Sequence, residues 1–196
     1  MIHKITNHLR AEIKEFPRGF YDSFDYTQTG NNLTHPITLG ILSKILWNIN
    51  EIINVGIDVR FNLGNNVKFQ PDTVGFGAEN QILIIIDYES PNSSDARIPK
   101  KDVDSYLSWQ RYSNSNAPYV IITTLPEKES PEWELRYTSK SRTNHLFQGH
   151  QKELRKNPYK FWYSFYLKEF KKRKMRNISL ININGNKVAL KYPKKA

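Results

Sequence analysis

The feature of this chain that most constrains its fold is an unbroken run of apolar residues, Ile82–Ile86. A strand that is apolar at every position, rather than at alternate ones, must be covered on both of its faces. The run therefore predicts a central strand, from about Gln81 to Glu89, in a sheet flanked by helices. It is also far shorter than the roughly 20 residues that a helix needs to cross a bilayer, so we expect no membrane span.

The segment before this strand predicts one helix and two further strands. Apolar residues recur at three- and four-residue spacing as far as Ile53, with Pro36 as a start signal, which indicates an amphipathic helix. Alternation from Val55 to Phe61 is typical of a half-buried strand. The turn sequence 63–66 then predicts a hairpin into a second strand, Val67 to Gly77.

The segment after the central strand predicts a helix from Pro99 to Tyr112 and a strand from Tyr119 to Thr124. A helix that connects two strands of one sheet normally makes a right-handed crossover. The order of helix, three strands, helix and strand defines an α/β core over about 34–125 with a mixed central sheet. An aromatic helix with a basic end (about 150–174) and a β-hairpin around Asn184-Gly185 are expected as a C-terminal extension, about 150–196.

The cysteine content and the net charge limit the chemistry and the partners that this chain can have. The 196 residues contain no cysteine, which excludes disulfides, thiolate zinc sites and cysteine nucleophiles, so acidic and hydroxyl groups must carry any chemistry. The formal net charge of +10 favours nucleic acid as the partner. A charge that serves solubility and an anionic lipid surface remain open alternatives. The length suits a single domain, and the charged residues within 1–16 are unlike a signal peptide, so we expect a cytoplasmic protein.

Three acids are predicted to converge beside the central strand. Asp87 and Glu89 end that strand, and their two-residue separation puts both side chains on one face. The hairpin brings Asp72, in the second strand, beside them. Carboxylates of this kind hold hard cations such as Mg²⁺, which activate water and neutralise a phosphate under attack. Asp87 follows an apolar run, so its charge is costly unless a cation or hydrogen-bond donors compensate it.

These residues resemble the motif of the PD-(D/E)XK nucleases, the restriction-endonuclease-like superfamily. The resemblance rests on Pro71-Asp72 and Asp87-Tyr88-Glu89, together with the order of helices and strands. It implies an endonuclease that hydrolyses DNA with Mg²⁺, or with Mn²⁺ as a substitute, held by Asp72 and Asp87. Glu89 stands where the motif has lysine, so the resemblance gives it a metal-binding or water-orienting role.

The resemblance also points to residues outside the motif. The motif lysine can migrate to the following helix in this family, which makes Lys101 the candidate for stabilising phosphate charge or orienting the water, with Lys100 second. Glu51 resembles the additional helix acid that completes a metal site in many members. A solvated position is the alternative for each of these residues.

The basic end of the last helix is the candidate track for DNA phosphates, in Lys171, Lys172, Arg173 and Lys174. Such charges also complement a helix dipole. A restriction-type enzyme would form a homodimer to cut both strands, with the aromatic C-terminal region as the contact. Two other classes stay open: a DNA-binding module of the same fold without catalysis, and a structural or protein-interaction domain.

Overall fold

The computed structural model describes residues 1–16, 28–64, 68–89, 98–124 and 166–193. The helices are α1 (Ile2–Lys14), α2 (Gln28–Trp47), α3 (Ile98–Ser113) and α4 (166–172). The strands are β1 (Asn54–Ile57), β2 (Phe61–Asn62), β3 (Lys68–Phe69), β4 (Thr73–Phe76), β5 (Ile82–Glu89), β6 (Tyr119–Thr124), β7 (Ile178–Asn184) and β8 (Lys187–Tyr192). A 3₁₀ turn, Ala78–Asn80, connects β4 to β5. No helix within these ranges is long and apolar enough to pass through a bilayer.

The main sheet is mixed and has six strands in the order β1-β4-β5-β6-β7-β8. Strands β1, β4 and β5 pair antiparallel, β5, β6 and β7 pair parallel, and β8 returns antiparallel. The prediction of a central strand at the apolar run is confirmed, because β5 has neighbours on both edges and Ile84, Ile85 and Ile86 are fully buried. The mixed α/β class is confirmed with it.

Helices cover both faces of this sheet. On one face, apolar residues of α1 and α2 pack on Ile84 and Ile86 of β5. On the other face, α3 and α4 pack on Ile85, and this core is rich in aromatic residues. The alternation of side chains from Ile84 to Ile86 sends neighbouring residues into the two separate cores, which is why each of these positions is apolar.

Helix α2 departs from its predicted bounds at both ends. Pro36 predicts a helix start because proline lacks an N–H and crowds the preceding turn, yet the helix begins at Gln28 and Pro36 lies inside it. One proline removes a single hydrogen bond, and a helix can continue through it. At the other end, the amides of Asn48 and Ile49 donate to carbonyls three residues back, so the last turn tightens and the helix ends at Trp47.

The predicted first and second strands are each divided in two. Asp58 has a φ of 51°, which ends β1, and β2 then pairs with β3 in a separate two-stranded sheet. Pro71 has no N–H to donate to a ladder, and the predicted strand from Val67 to Gly77 is interrupted there between β3 and β4. Asp72 consequently lies just before β4 rather than within a strand.

The C-terminal hairpin is confirmed, with Gly185 at a φ of 53° in the turn between β7 and β8. It is a continuation of the main sheet rather than an appendage, because β7 pairs parallel with β6 from Ile178 to Ile183. The predicted sheet core, which stopped near 125, was therefore too short. Of the predicted aromatic helix, 150–165 lies outside the described residues, and α4 is its described end.

Candidate active site

Asp72 is held in place at each of its polar groups. Its main-chain amide donates to Oδ1 of Asp87 across 3.0 Å, and its carbonyl accepts from the amide of Asp58 across 2.9 Å. Its Oδ2 accepts from the amide of Tyr88 across 2.7 Å, and its Oδ1 lies 3.2 Å from Nε2 of His35. The position of this carboxylate is therefore fixed by contacts from α2, the end of β1 and β5.

The register of the hairpin explains why Asp72 meets Asp87. Thr73 pairs with Ile86 in the antiparallel ladder, so the next residues outward, Asp72 and Asp87, lie opposite each other. The prediction that the hairpin brings these two acids together is confirmed by their hydrogen bond. They stand at the edge where β5 ends.

Asp87 is a buried carboxylate with only 8% of its surface exposed. Its Oδ2 accepts a hydrogen bond from the hydroxyl of Tyr119, which lies on β6. Burial and then the charge of Asp72 raise the pKa of Asp87 to about 7, against smaller opposing effects of the Tyr119 hydroxyl, the Asp72 amide and Lys101. The negative charge of Asp87 is therefore costly where it lies, beside the carboxylate of Asp72.

A further buried acid, Asp102, was missed by the sequence analysis. It lies on α3, is 6% exposed, and its Oδ2 accepts from the hydroxyl of Tyr166 on α4 across 3.4 Å. Burial first, and then the charges of Glu89 and Asp87, raise its pKa well above the ordinary value. Helical spacing contained the signal, because Asp102 shares one buried helix face with Tyr106, a turn later.

Two other predicted site residues lie close to this centre. Glu89 is the half-buried last residue of β5 and shares a strand face with Asp87; its charge contributes to the raised pKa of His35 and of Asp102. Lys101 is exposed on α3, and its charge acts to lower the pKa of Asp87. The structure thus brings Asp72, Asp87, Glu89 and Lys101 to one edge of the sheet.

His35 is the second site residue that the sequence analysis missed. Its ring contacts Tyr88, with the centroids 5.9 Å apart, and its side chain is 35% exposed. The hydrogen bond to Asp72 is the main cause of its raised pKa. No sequence signal marks His35, because its partner lies far along the chain on another element.

Glu51 is not brought to the site. It is 58% exposed and forms an ion pair with Lys4 across 3.6 Å. Its carbonyl lies against Gly77, at the end of β4 opposite to Asp72, so the extended strand separates the two acids. Its prediction as a metal ligand is incorrect. Lys100, the second lysine candidate, pairs with Asp104 on its own helix.

The chemistry of the acid pair suits a hard cation. Among the described residues, no group of three or more His, Asp and Glu side chains is arranged to hold a metal ion. Mg²⁺, however, is commonly bound through one or two carboxylates and keeps several waters or substrate oxygens as its other ligands. The pair of the half-buried Asp72 and the buried Asp87, whose charges oppose each other, fits that kind of site.

The predicted phosphate track divides into two kinds of residue. Lys171, Lys172 and Lys174 are exposed around the end of α4. Arg173 instead points inward, is 16% exposed, and forms ion pairs with Asp104 of α3 and Glu169 of α4. Its guanidinium joins the two helices, so it is occupied by ion pairs within the protein rather than presented at the surface with the three lysines.

Comparisons with known proteins were negative: no family model, curated protein or solved structure matches this chain. The class that the fold and site define is therefore a mixed α/β protein with a cluster of acids where its central strand ends. The basis for a functional conclusion is the geometry of that cluster.

Proposed function

We propose that this chain is a metal-dependent endonuclease of the restriction-endonuclease-like type, which hydrolyses the phosphodiester bonds of DNA. The observation that carries the proposal is the pair formed by Asp72 and Asp87. These two acids meet where β4 begins and β5 ends, and Asp87 is buried with a pKa raised to about 7. A divalent cation would offset the repulsion between their charges.

The arrangement of the elements supports the same proposal. Helix α2, strands β1, β4 and β5, helix α3 and strand β6 follow each other in the order that the resemblance to PD-(D/E)XK nucleases implies. Asp72 immediately precedes β4, and Asp87 and Glu89 end β5, the strand that pairs with β4 in the sheet. The short hairpin of β2 and β3 is an insertion between the first two strands of this order.

Asp72 and Asp87 would hold the Mg²⁺ ion, with Mn²⁺ as a substitute. When bound, the ion supplies activation of water and neutralisation of the charge on the attacked phosphate. The site's own residues then have separate tasks. His35 and the amide of Tyr88 hold the Asp72 carboxylate, Glu89 orients the attacking water, and Lys101 offers its ammonium to the phosphate.

The charge of the chain supports nucleic acid as the substrate. A net charge of +10 attracts a polyanion, and Lys171, Lys172 and Lys174 are exposed to contact phosphates. Lys171 and Lys172 belong to α4, whose Tyr166 hydroxyl bonds to Asp102, beside the acid cluster. The described part of α4 thus connects the lysines with the proposed active site.

The test is incubation of the full chain with supercoiled and linear duplex DNA, in Mg²⁺, in Mn²⁺ and in EDTA. We expect cleavage that requires the metal and that is lost in Asp72→Ala and in Asp87→Ala. Cleavage that persists in EDTA or in both variants would contradict the proposal.

A second candidate function, a DNA-binding module without catalysis, is favoured by one observation. Glu89 places a carboxylate where the nuclease motif has a lysine, which adds negative charge beside Asp87. This reading predicts salt-sensitive DNA binding with no cleavage in any metal. A protein-interaction domain, by contrast, predicts neither binding nor cleavage.

A further inference from the structure

We propose that Tyr119 is a positioning residue that fixes the Asp87 carboxylate in the orientation that binds the cation. The proposal rests on the proposed function and names a residue outside the motif. Tyr119 touches neither substrate nor cation in this account; it acts through Asp87. Its hydroxyl donates to Oδ2 of Asp87, while the amide of Asp72 donates to Oδ1.

Two donors from two different segments of the chain therefore define the plane of the Asp87 carboxylate. The amide comes from the residue before β4, and the hydroxyl comes from β6. Each carboxylate oxygen has two lone pairs, so one donor on each oxygen leaves acceptor capacity for a cation. With either donor removed, the carboxylate would be free to turn about its bond to Cβ.

The sheet register places Tyr119 where only a long side chain can reach Asp87. Tyr119 pairs with Ile85 in the parallel ladder, and Ile121 pairs with Asp87. Tyr119 and Asp87 are thus diagonal neighbours on one face, a separation that an aromatic side chain spans. A phenol carries its hydroxyl at the end of a rigid ring, so the reach is fixed by the position of that ring.

The ring of Tyr119 is itself immobilised from two sides. It is fully buried, stacks on Tyr106 of α3 with centroids 4.7 Å apart, and meets Phe69 of β3 edge-on at 6.3 Å. The hydroxyl of Tyr106 has a different partner, because it donates to the carbonyl of Ala117 across 2.7 Å. The packing of the two rings thus holds Tyr119, and through its hydroxyl one carboxylate of the site.

Tyr106 supplies a matched control for the test. Tyr119→Phe and Tyr106→Phe each delete one buried hydroxyl from the same ring stack, and each leaves one buried oxygen without that donor. Each deletion costs stability, and the cost is larger in Tyr119→Phe because its partner is a carboxylate rather than a carbonyl. Only Tyr119→Phe alters the surroundings of Asp87.

The experiment measures Mn²⁺ binding to the full chain by electron paramagnetic resonance of the free ion, and DNA cleavage across Mn²⁺ concentrations. We expect Tyr119→Phe to weaken Mn²⁺ binding about tenfold or more and to raise the half-saturating Mn²⁺ concentration equally. Tyr106→Phe should match wild type in both readouts. Equal Mn²⁺ affinity of the two variants would overturn the role of Tyr119.

Asp87→Asn separates this inference from the proposed function. If Asp87→Asn loses Mn²⁺ binding while Tyr119→Phe retains it, the role of Tyr119 is wrong and the proposed site stands. If Asp87→Asn binds Mn²⁺ as wild type does, the proposed site itself is wrong and the role of Tyr119 is overturned with it.

Discussion

The main-chain amide of Asp72 donates a hydrogen bond to Oδ1 of Asp87 across 3.0 Å, so the two acids are tied through the backbone while their charges repel. The bond fixes their separation, and the repulsion makes full ionisation of the pair costly. A site built in this way gains from any cation that lies between the carboxylates. The electrostatic state of this pair therefore governs how the protein should respond to pH and to divalent cations.

The stability of the protein should depend on pH through Asp87. The pKa of Asp87 is raised from 3.8 to about 7, chiefly by burial, so its contribution to stability is fully present below about pH 3.8 and is lost as the pH rises through about 7. Relative to Asp87→Asn, the wild type should lose on the order of 4 kcal/mol between pH 4 and pH 8. Urea unfolding in EDTA at a series of pH values measures this difference.

Glu12→Gln is the control for that series. Glu12 pairs with Lys44 at the surface, so its substitution removes the same charge far from the site. Its unfolding free energy should follow the wild-type curve. Parallel curves for the wild type and Asp87→Asn would show that Asp87 ionises in the folded protein as it does in the unfolded chain.

The ionisation of His35 should report on Asp72. The hydrogen bond to Asp72 is the main cause that raises the pKa of His35 above 6.5. In Asp72→Asn the charge is gone, so the pKa of His35 should fall. Nuclear magnetic resonance of the His35 ring across pH measures both values, with Glu12→Gln as the control. An unchanged titration in Asp72→Asn would contradict the contact.

Replacement of Thr73 by valine should stabilise the folded protein. Its Oγ1 is buried and has no hydrogen-bond partner among the described residues, which is a cost that a methyl group does not incur. We expect Thr73→Val to raise the free energy of unfolding by about 1 kcal/mol. The same change at Thr123, whose hydroxyl donates to Oδ1 of Asn182 across 2.9 Å, should lower it by about as much. Urea unfolding measures the free energy of unfolding of both variants. Changes of the same sign in the two variants would contradict the difference in hydrogen bonding between the two hydroxyl groups.

The strands that the sequence predicts best are those whose pattern is decided locally. The bounds of β6 match the prediction from Tyr119 to Thr124, because a β-branched run lies between two prolines. The hairpin of β7 and β8 follows from Asn184-Gly185, which suits a tight turn. Its place in the main sheet could not be predicted, because that depends on pairing with β6, distant along the chain.

The divided strands show where local pattern is insufficient. The alternation from Val55 to Phe61 continues through Asp58, yet Asp58 adopts a left-handed conformation and donates its amide to the carbonyl of Asp72. That contact exists only once the hairpin has formed, so nothing in the local sequence marks it. Tertiary contacts here override strand propensity.

The sequence allows the two central acids of the candidate site to be predicted, but not the residues that form hydrogen bonds with the acids of the site. Asp72 and Asp87 follow from strand register and the motif, whereas His35, Tyr119 and Tyr166 reach the acids from distant positions in the chain. For Tyr119, the sequence pattern predicts only that it belongs to an apolar strand. Asp102 was overlooked because an acid within a helix is usually solvated, although here it faces the core.

Substitution of Arg173 should affect stability, whereas substitution of the neighbouring Lys172 should affect DNA binding. Arg173→Ala breaks the ion pairs with Asp104 and Glu169, so we expect a loss of about 1 kcal/mol in unfolding free energy. Lys172→Ala should leave stability unchanged, weaken DNA binding, and reduce by about one the slope of log affinity against log salt. Urea unfolding and DNA binding at several salt concentrations measure these effects. If the slope of log affinity against log salt were reduced in Arg173→Ala and unchanged in Lys172→Ala, the DNA contact would belong to Arg173 and not to Lys172.

The most direct test of the central claim is the rate at which the full chain nicks supercoiled DNA in Mg²⁺, compared among the wild type, Asp72→Asn and Glu12→Gln. Asp72→Asn keeps the size of the side chain, removes its charge and replaces one acceptor oxygen by an amide nitrogen, whereas Glu12→Gln makes the equivalent change at the surface. We predict a rate at least about a hundredfold lower in Asp72→Asn and an unchanged rate in Glu12→Gln. Equal rates in the wild type and Asp72→Asn would contradict the account, because the acid pair would then not be the catalytic centre.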